Sequence, residues 1–469
     1  MQLAKLTMLN RMCFMKGFLS LCSFFLALTL SAQNNSPYSR FGLGDLYPNT
    51  SINSRGMGGL SSGYVDVVSV NFNNPASYSQ FQTFIEQRSK KLSSGRIVLD
   101  AAVSMDSRSL IEPNAAERFT TNDVLFSYLQ VGLPVKRNWG FSFGLRPLTR
   151  VGYMINREEF LMDPSMPNDS IEKAITQFRG SGGSYLPNIG TGFGFNLNEK
   201  NYLSFGINAG YLFGNRENTT LRSLVNDSVL YYSSDHTTKT YFNSLYYTAG
   251  VQYQLDLTKK GSNDQTILRI GFSGNWKQTL NATQDILRQT YTRGSANEQL
   301  TIDSIFANTD VKGEIIYPAS YKTGFVVQRQ NQNGSGWLIG ADYSQNKWSQ
   351  FRNYGQVDSV QDNWLVNIGG QLVPRPKENY FSRVVYRFGL FAGEDYIKVR
   401  NNLPVLGASF GMALPIRTSR QAPAQFSVVN VAMDYMKRGN NDNLLKENLF
   451  RVSLGLNFTD LWFGKRKYE

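Results

Sequence analysis

Residues 201–214, with the sequence NYLSFGINAGYLFG, decide the fold class of this chain. Apolar side chains occupy every second position from Leu203 to Phe213, and small or polar residues fill the positions between them, with Leu212 as the exception. This period of two is typical of a β-strand with two unlike faces. Strands of soluble proteins usually run about 5–6 residues, whereas a tilted strand needs about 9–11 residues to cross a membrane. The stretch therefore predicts a membrane-spanning strand with its apolar face toward lipid.

The same alternation recurs along the chain, and its polar face is rich in glycine and asparagine, as suits a crowded barrel interior. Segments with this pattern lie at approximately 97–107, 122–136, 139–151, 184–198, 201–214, 240–257, 265–279, 315–330, 336–348, 361–374, 380–395, 402–416, 424–438 and 448–460. Bacterial outer-membrane barrels have an even number of strands. We therefore predict an all-β fold, a transmembrane antiparallel β-barrel of about 14 strands in the bacterial outer membrane.

The connections between these segments alternate in length. Short turns such as 136–138 and 198–201 are followed by long stretches at 152–183, 215–239 and 280–314. In outer-membrane barrels the short turns face the periplasm and the long loops face outward. The sequence thus predicts long outer loops, with both termini of the barrel on the periplasmic side.

The N-terminal residues predict a cleaved signal peptide, residues 1–33. Lys5, Arg11 and Lys16 precede a 14-residue apolar run at 17–30, and small residues follow it. The run is shorter than the roughly 20 residues that a spanning helix needs. Both cysteines of the chain lie within residues 1–33, so the mature protein is expected to carry no thiol.

Residues 34–96 follow the signal peptide and do not alternate. They contain much glycine, asparagine and serine, but they hold too many apolar residues for a disordered tail. We predict that they form a hatch in the lumen of the barrel, which itself occupies residues 97–463. Residues 464–469 form a short C-terminal tail.

Two short stretches before the barrel carry a family resemblance. Residues 55–58 read Arg-Gly-Met-Gly, and Asn74, Pro75 and Ala76 follow as Asn-Pro-Ala. This combination resembles the FadL-type outer-membrane transporters of long-chain fatty acids and other hydrophobic compounds. The C-terminal stretch 449–463 resembles the last strands of bacteroidete-type members, although the tail departs from them. The resemblance implies that Asn74, Pro75 and Ala76 belong to the hatch.

Pro147 lies inside the predicted third strand, where a proline removes one hydrogen bond of the ladder. The FadL resemblance implies a kink in this strand that opens sideways to the membrane, and Pro147 is the candidate for this lateral gate. The alternative is that residue 147 already lies at the outer end of the strand, where a proline is harmless.

Four arginines, Arg146, Arg150, Arg383 and Arg387, are predicted to point into the lumen by alternation. Their ordinary role is to pair with acidic residues and with the hatch. Because guanidinium groups bind carboxylates with two hydrogen bonds, they are also candidate ligand contacts.

No pattern in the sequence indicates catalysis, a cofactor or a metal site. The only histidine, His236, lies in a polar stretch that reads as an outer loop, and no phosphate-binding or metal-ligand motif is present. The net charge of +13 is spread among turns, loops and lumen, which favours contact with outer-membrane lipid over nucleic acid. The sequence therefore predicts a protein that is not an enzyme.

Two functions remain open from the sequence. The first is an outer-membrane channel for passive uptake of hydrophobic, fatty-acid-like molecules, with a lateral exit near strand 3. The second is a barrel that serves as partner or accessory subunit of a secretion or envelope-assembly machine, with a protein partner in the envelope. A general aqueous porin is disfavoured by the hatch.

Overall fold

The computed structural model describes residues 36–85, 92–113, 118–162, 170–225, 231–294, 298–416 and 426–462. The predicted signal peptide and the C-terminal tail lie outside these residues. None of the described helices is long and apolar enough to cross a membrane.

The wall of the molecule consists of fourteen antiparallel strands. They are β1 (Leu92–Ile111), β2 (Arg118–Lys136), β3 (Trp139–Met162), β4 (Ser170–Asn196), β5 (Asn201–Val225), β6 (Ser233–Asp256), β7 (Gln265–Asn275 and Gln278–Arg293), β8 (Gln299–Tyr317 and Ser320–Gln330), β9 (Gly336–Asn346), β10 (Asn363–Val373), β11 (Val385–Val399), β12 (Asn401–Ile416), β13 (Phe426–Arg438) and β14 (Lys446–Trp462). Each pairs with its sequence neighbour. β14 pairs with β1 from Lys446–Ile111 to Trp462–Gly95 and closes the barrel. The predicted barrel of about fourteen strands is confirmed, and each predicted segment overlaps one strand.

The two faces of the wall follow the predicted alternation. On β5 the side chains of Phe205 and Ile207 are 44% and 46% exposed on the outer surface. Ser204, on the same strand, is fully buried. On β14 Leu454 and Leu456 face outward, and Asn457 is buried inside. The outer surface is apolar because lipid offers no partner for polar groups.

The stretches 152–183, 215–239 and 280–314 differ from the prediction, because most of their residues continue the strands. β3 and β4 stay paired as far as Met162 and Ser170, and β7 and β8 as far as Arg293 and Gln299. Outside a membrane the outer face of a hairpin meets water instead of lipid, so the apolar alternation weakens although the backbone pairing persists. We call these outer parts of β3–β8 the projection.

Residues 36–85, the N-terminal segment, contain only short elements. These are 3-10 helices at Pro37–Arg40 and Pro75–Gln80, an α-helical turn at Ile52–Arg55, and strands at Asp45–Leu46 and Thr83–Ile85. The segment contacts β2–β6 through its Pro75–Gln80 helix and β12–β14 through its Ile52–Arg55 turn. Many of its residues are fully buried, including Met57, Leu60 and Asn74.

A charged side chain at a lipid-facing position is expected to lower the stability of the barrel. Leu454→Arg is expected to lower the free energy of unfolding by about 2–4 kcal/mol if the residue lies near the bilayer midplane. Leu257→Arg is the matched control, because Leu257 is similarly exposed but lies in the turn after β6. Unfolding by denaturant in lipid vesicles measures both. An equal loss in the two variants would contradict the assignment of the outer surface.

Candidate functional site

The ladder between β2 and β3 stops halfway along the wall. The two strands pair from Lys136–Trp139 to Leu129–Leu145, and no described residue of β2 pairs with β3 beyond that point. Pro147 follows two residues later, and the β3–β4 ladder shifts register between Pro147 and Thr149. A proline has no N–H to donate, so it is tolerated at such an interruption. The wall is therefore open between β2 and β3 at the level of Pro147.

The N-terminal segment covers the free edge of β3 at this opening. The short strand Asp45–Leu46 pairs with Arg150 and Thr149. The backbone N–H of Tyr47 donates to the carbonyl of Leu148 at 2.8 Å. These bonds supply backbone partners that β2 does not, because an unpaired peptide group away from water is costly.

A cavity of about 650 Å³ occupies the opening. On its outer side it is lined by aromatic residues, Phe126, Tyr185, Phe213 and Tyr241, and on its inner side by polar residues that include Tyr47, Thr149, Arg150 and Asn215. Arg150 donates from Nη2 to Asp123 Oδ1 at 3.1 Å, whereas its buried Nη1 has no hydrogen-bond partner among the described residues. The cavity thus joins an aromatic mouth to a cationic inner wall.

The Asn-Pro-Ala motif lies against a different part of the wall. Asn74 accepts the N–H of Ala76 at 3.2 Å and donates to the carbonyl of Ser62 at 2.7 Å. The motif packs against Gly192, Gly206 and Gly250 of β4, β5 and β6, where the absence of side chains lets the two backbones approach. The residues that pair with β3 next to Pro147 are residues 45–47, and not this motif.

The four candidate arginines fall in different surroundings. Arg150 lines the cavity. Arg146 is 2% exposed, and its guanidinium lies over the ring of Phe72 with 4.8 Å to the centroid. Its Nε and Nη1 have no partner in the described chain. Arg387 is engaged, because it donates to Gln371 at 2.9 Å and to Asn430 at 3.1 Å.

Arg383 differs from the prediction, since it lies outside the lumen. It is exposed in the 3-10 helix Tyr380–Arg383 and donates to the carbonyl of Lys377 at 3.2 Å. The reason is that β11 begins at Val385, so the preceding turn is longer than the alternation suggested.

Comparison with known proteins assigns the chain to a family. The family model of BamG matches residues 14–469. The chain belongs to the BamG family. A search of curated proteins gave no match.

Solved structures of low sequence identity resemble this BamG-family barrel. The monoaromatic hydrocarbon channel CymD matches with 13% identity and a TM-score of 0.45, over 89% of this chain and 98% of that one. A Pseudomonas aeruginosa FadL homologue matches with 12% identity and a TM-score of 0.47, over 90% and 98%. The Pseudomonas putida toluene transporter TodX matches with 14% identity and a TM-score of 0.47, over 89% and 99%. At these identities and TM-scores the likeness carries no argument about function.

A buried ionic network, which the sequence did not reveal, ties the N-terminal segment of the BamG-family barrel to its wall. Asp45 binds Arg108 and Arg438, each at 2.9 Å. Glu447 binds the same two arginines, at 2.8 and 3.1 Å. Arg438 also donates from Nη2 to Asp395 Oδ1 at 3.0 Å. The network holds Asp45, and with it the strand that covers the edge of β3.

An apolar cluster fills the lumen beside the cavity. Leu148 of β3 packs there with Tyr38 and Leu43 of the N-terminal segment, with Phe242 of β6 and with Trp348 of the connection after β9. All five side chains are less than a tenth exposed.

The described residues contain no group of three or more side chains that could hold a metal ion.

Proposed function

We propose that this BamG-family barrel lies in the outer membrane of bacteroidete-type bacteria and passes hydrophobic small molecules sideways into the bilayer. The observation that carries the proposal is the interrupted ladder at Pro147, because it leaves a cavity in the wall rather than a closed strand pair. Lateral exit suits an apolar molecule, since the bilayer receives it without a passage through water.

The lining of the cavity favours an amphipathic molecule over a plain hydrocarbon. Aromatic side chains at the mouth would hold an apolar chain, and the free Nη1 of Arg150 would bind an acidic head group. Fatty-acid-like carboxylates meet both demands. Arg146, whose guanidinium also has unpartnered nitrogens, lies on the same strand and would be the next contact toward the lumen.

The N-terminal segment acts as the hatch in this proposal. Residues 45–47 separate the cavity from the lumen, and the apolar cluster around Tyr38 and Trp348 lies behind them. A molecule that enters from the outside therefore moves along the apolar cluster, and a small displacement of residues 45–47 admits it to the opening.

A cross-link across the opening tests the proposal. Leu125 and Thr149 line the cavity from β2 and β3, and cysteines at both positions can be joined by a short bifunctional reagent. We expect the cross-link to abolish uptake of a fluorescent fatty acid into cells, and a thiol-cleavable reagent to restore it on reduction.

The control pair lies on the closed part of the same ladder. Val131 and Phe143 are direct neighbours across β2 and β3, so a cross-link there leaves the opening unchanged, and uptake is expected to persist. Unchanged uptake after the cross-link at Leu125 and Thr149 would contradict the lateral exit.

A second candidate function is an accessory subunit of a secretion or envelope-assembly machine. The projection favours it, because strands of 24 to 27 residues, β3 to β6, extend well past the length that a membrane crossing requires. Under this function the cross-link leaves fatty acid uptake unchanged, whereas loss of the chain impairs assembly or export of other envelope proteins.

A further inference from the structure

The outer part of β8 has an unoccupied backbone edge. On one side it pairs with β7 from Tyr317 to Gln299. On the other side Asn353 and Arg352 pair with Ile315 and Ile316, and Tyr354 donates to the carbonyls of Glu314 and Val311. Every residue from 299 to 310 is exposed. One edge of residues 299–310 therefore presents a row of peptide groups without a strand partner in the described chain.

This edge lacks most of the features that usually protect free strands. Native edges are blunted by lysine, proline, short length or bulges, and of these residues 299–309, QLTIDSIFANT, carry only bulges, with neither lysine nor proline and a single charge at Asp303. The register with β7 skips Ile302 and Ile305, so both are bulge residues. They are 46% and 72% exposed. A bulge re-aims the side chain that it carries, here an isoleucine toward solvent.

We propose that a partner protein adds an extended strand to this edge, outside the membrane, at the end of the barrel opposite both termini. A strand is the matching ligand because only a polypeptide backbone offers alternating N–H and C=O groups at the spacing of a ladder. Apolar side chains of the partner would pack on Ile302 and Ile305. This inference is independent of whether the barrel passes hydrophobic molecules.

A different protein fits the edge better than a second copy of this chain. Two copies of this barrel in one membrane have the same orientation, so their edges would run parallel, and a two-fold axis would place Asp303 beside Asp303. Like charges in that position destabilise a sheet. The partner strand is therefore expected to offer a polar or basic residue opposite Asp303 and apolar residues on either side.

Site-specific cross-linking in the protein's own cells tests the pairing. A photoreactive amino acid is placed in the full chain at Thr301, Asp303 or Thr309, and the cross-linked peptides are sequenced. We expect all three positions to reach one segment of one protein, with partner residues that advance in step along an extended strand. Cross-links between two copies of this chain, scattered cross-links to several proteins, or none, would overturn the proposal.

Backbone substitutions separate strand addition from side-chain docking. In a strand the N–H groups of neighbours point to opposite edges, so one of Asp303 and Ser304 donates outward. Proline at that position should weaken the cross-linked complex at least about fivefold, because one backbone hydrogen bond is lost. The side-chain variant at the same position, Ser304→Ala or Asp303→Asn, keeps the N–H and should weaken the complex less than proline does. Equal effects of the two substitutions would overturn the proposal.

Hydrogen exchange gives a readout without any substitution. Amides of residues 299–309 should exchange more slowly in native membranes than in the purified barrel, since a partner strand protects them. The turn residues 257–264 at the other end of the barrel serve as the reference. Equal exchange of residues 299–309 in the two samples would overturn the proposal even if the proline variants failed to fold.

Discussion

Arg438→Met is expected to lower the free energy of unfolding by about 3–5 kcal/mol, because removal of one member of a buried ion network leaves its partners uncompensated. Arg438 is 4% exposed and binds three carboxylates, those of Asp45, Asp395 and Glu447. Methionine is unbranched and fills much of the volume of arginine but offers no donor, so the variant removes the charge and leaves a smaller gap than alanine would. Among the described residues, Arg108 would then be the only arginine that binds Asp45 and Glu447.

The control for this variant is Arg329→Met. Arg329 binds Asp264 at 3.0 Å near the turns that join β6 to β7 and β8 to β9, with both side chains at least a third exposed. The hydrogen bond from Arg329 lowers the pKa of the Asp264 carboxyl below its usual value, but water screens the pair. The expected loss is therefore much smaller than for Arg438→Met. Denaturant unfolding in detergent micelles measures both variants, and similar losses would mean that the buried network does not hold the segment.

The barrel could be predicted because the sequence pattern of each membrane strand is local. A strand between lipid and a polar lumen must alternate, and that alternation is visible in single segments such as 201–214. The projection was missed because the outer face of its strands meets water instead of lipid, which removes the apolar signal. Arg383 was misplaced for a related reason, since no lipid-facing pattern marks the start of β11 at Val385.

One residue of the sequence, Pro147, indicated a gap in the ladder of β3, but the sequence did not indicate which residues surround that gap. Pro147 cannot donate to a ladder wherever it lies in a strand, so an interruption there follows from chemistry alone. The contact of residues 45–47 with β3 depends on how the segment enters the lumen. The ionic network joins residues as distant in sequence as Asp45 and Arg438. These residues come together only when the barrel closes, so no local sequence pattern predicts their ion pairs.

The second large effect is expected from Gly206→Leu, which should dislodge the Asn-Pro-Ala motif and open the lumen to solutes. A Cβ on Gly206 would lie 2.5 Å from the backbone nitrogen of Ala76 and closer still to the carbonyl group of Pro75. These are backbone atoms, so they cannot swing aside as a flexible side chain would. Nor can β5 retreat, because it is paired with β4 and β6 on either side of Gly206.

Single-channel conductance in planar bilayers measures this effect, because a lumen that the N-terminal segment no longer occupies would carry ions. We expect no steady conductance from the unaltered barrel and long-lived openings from Gly206→Leu. Ala209→Leu is the control on the same strand, since Ala209 lines the outer surface with Ile189 and Leu245, where a larger apolar side chain meets lipid. Because the ionic network around Asp45 and Arg438 lies elsewhere in the segment, the variant should retain a folded wall while the motif moves. A closed and stable Gly206→Leu barrel would show that residues 74–76 yield to the wall, and the N-terminal segment would then not be the element that seals it.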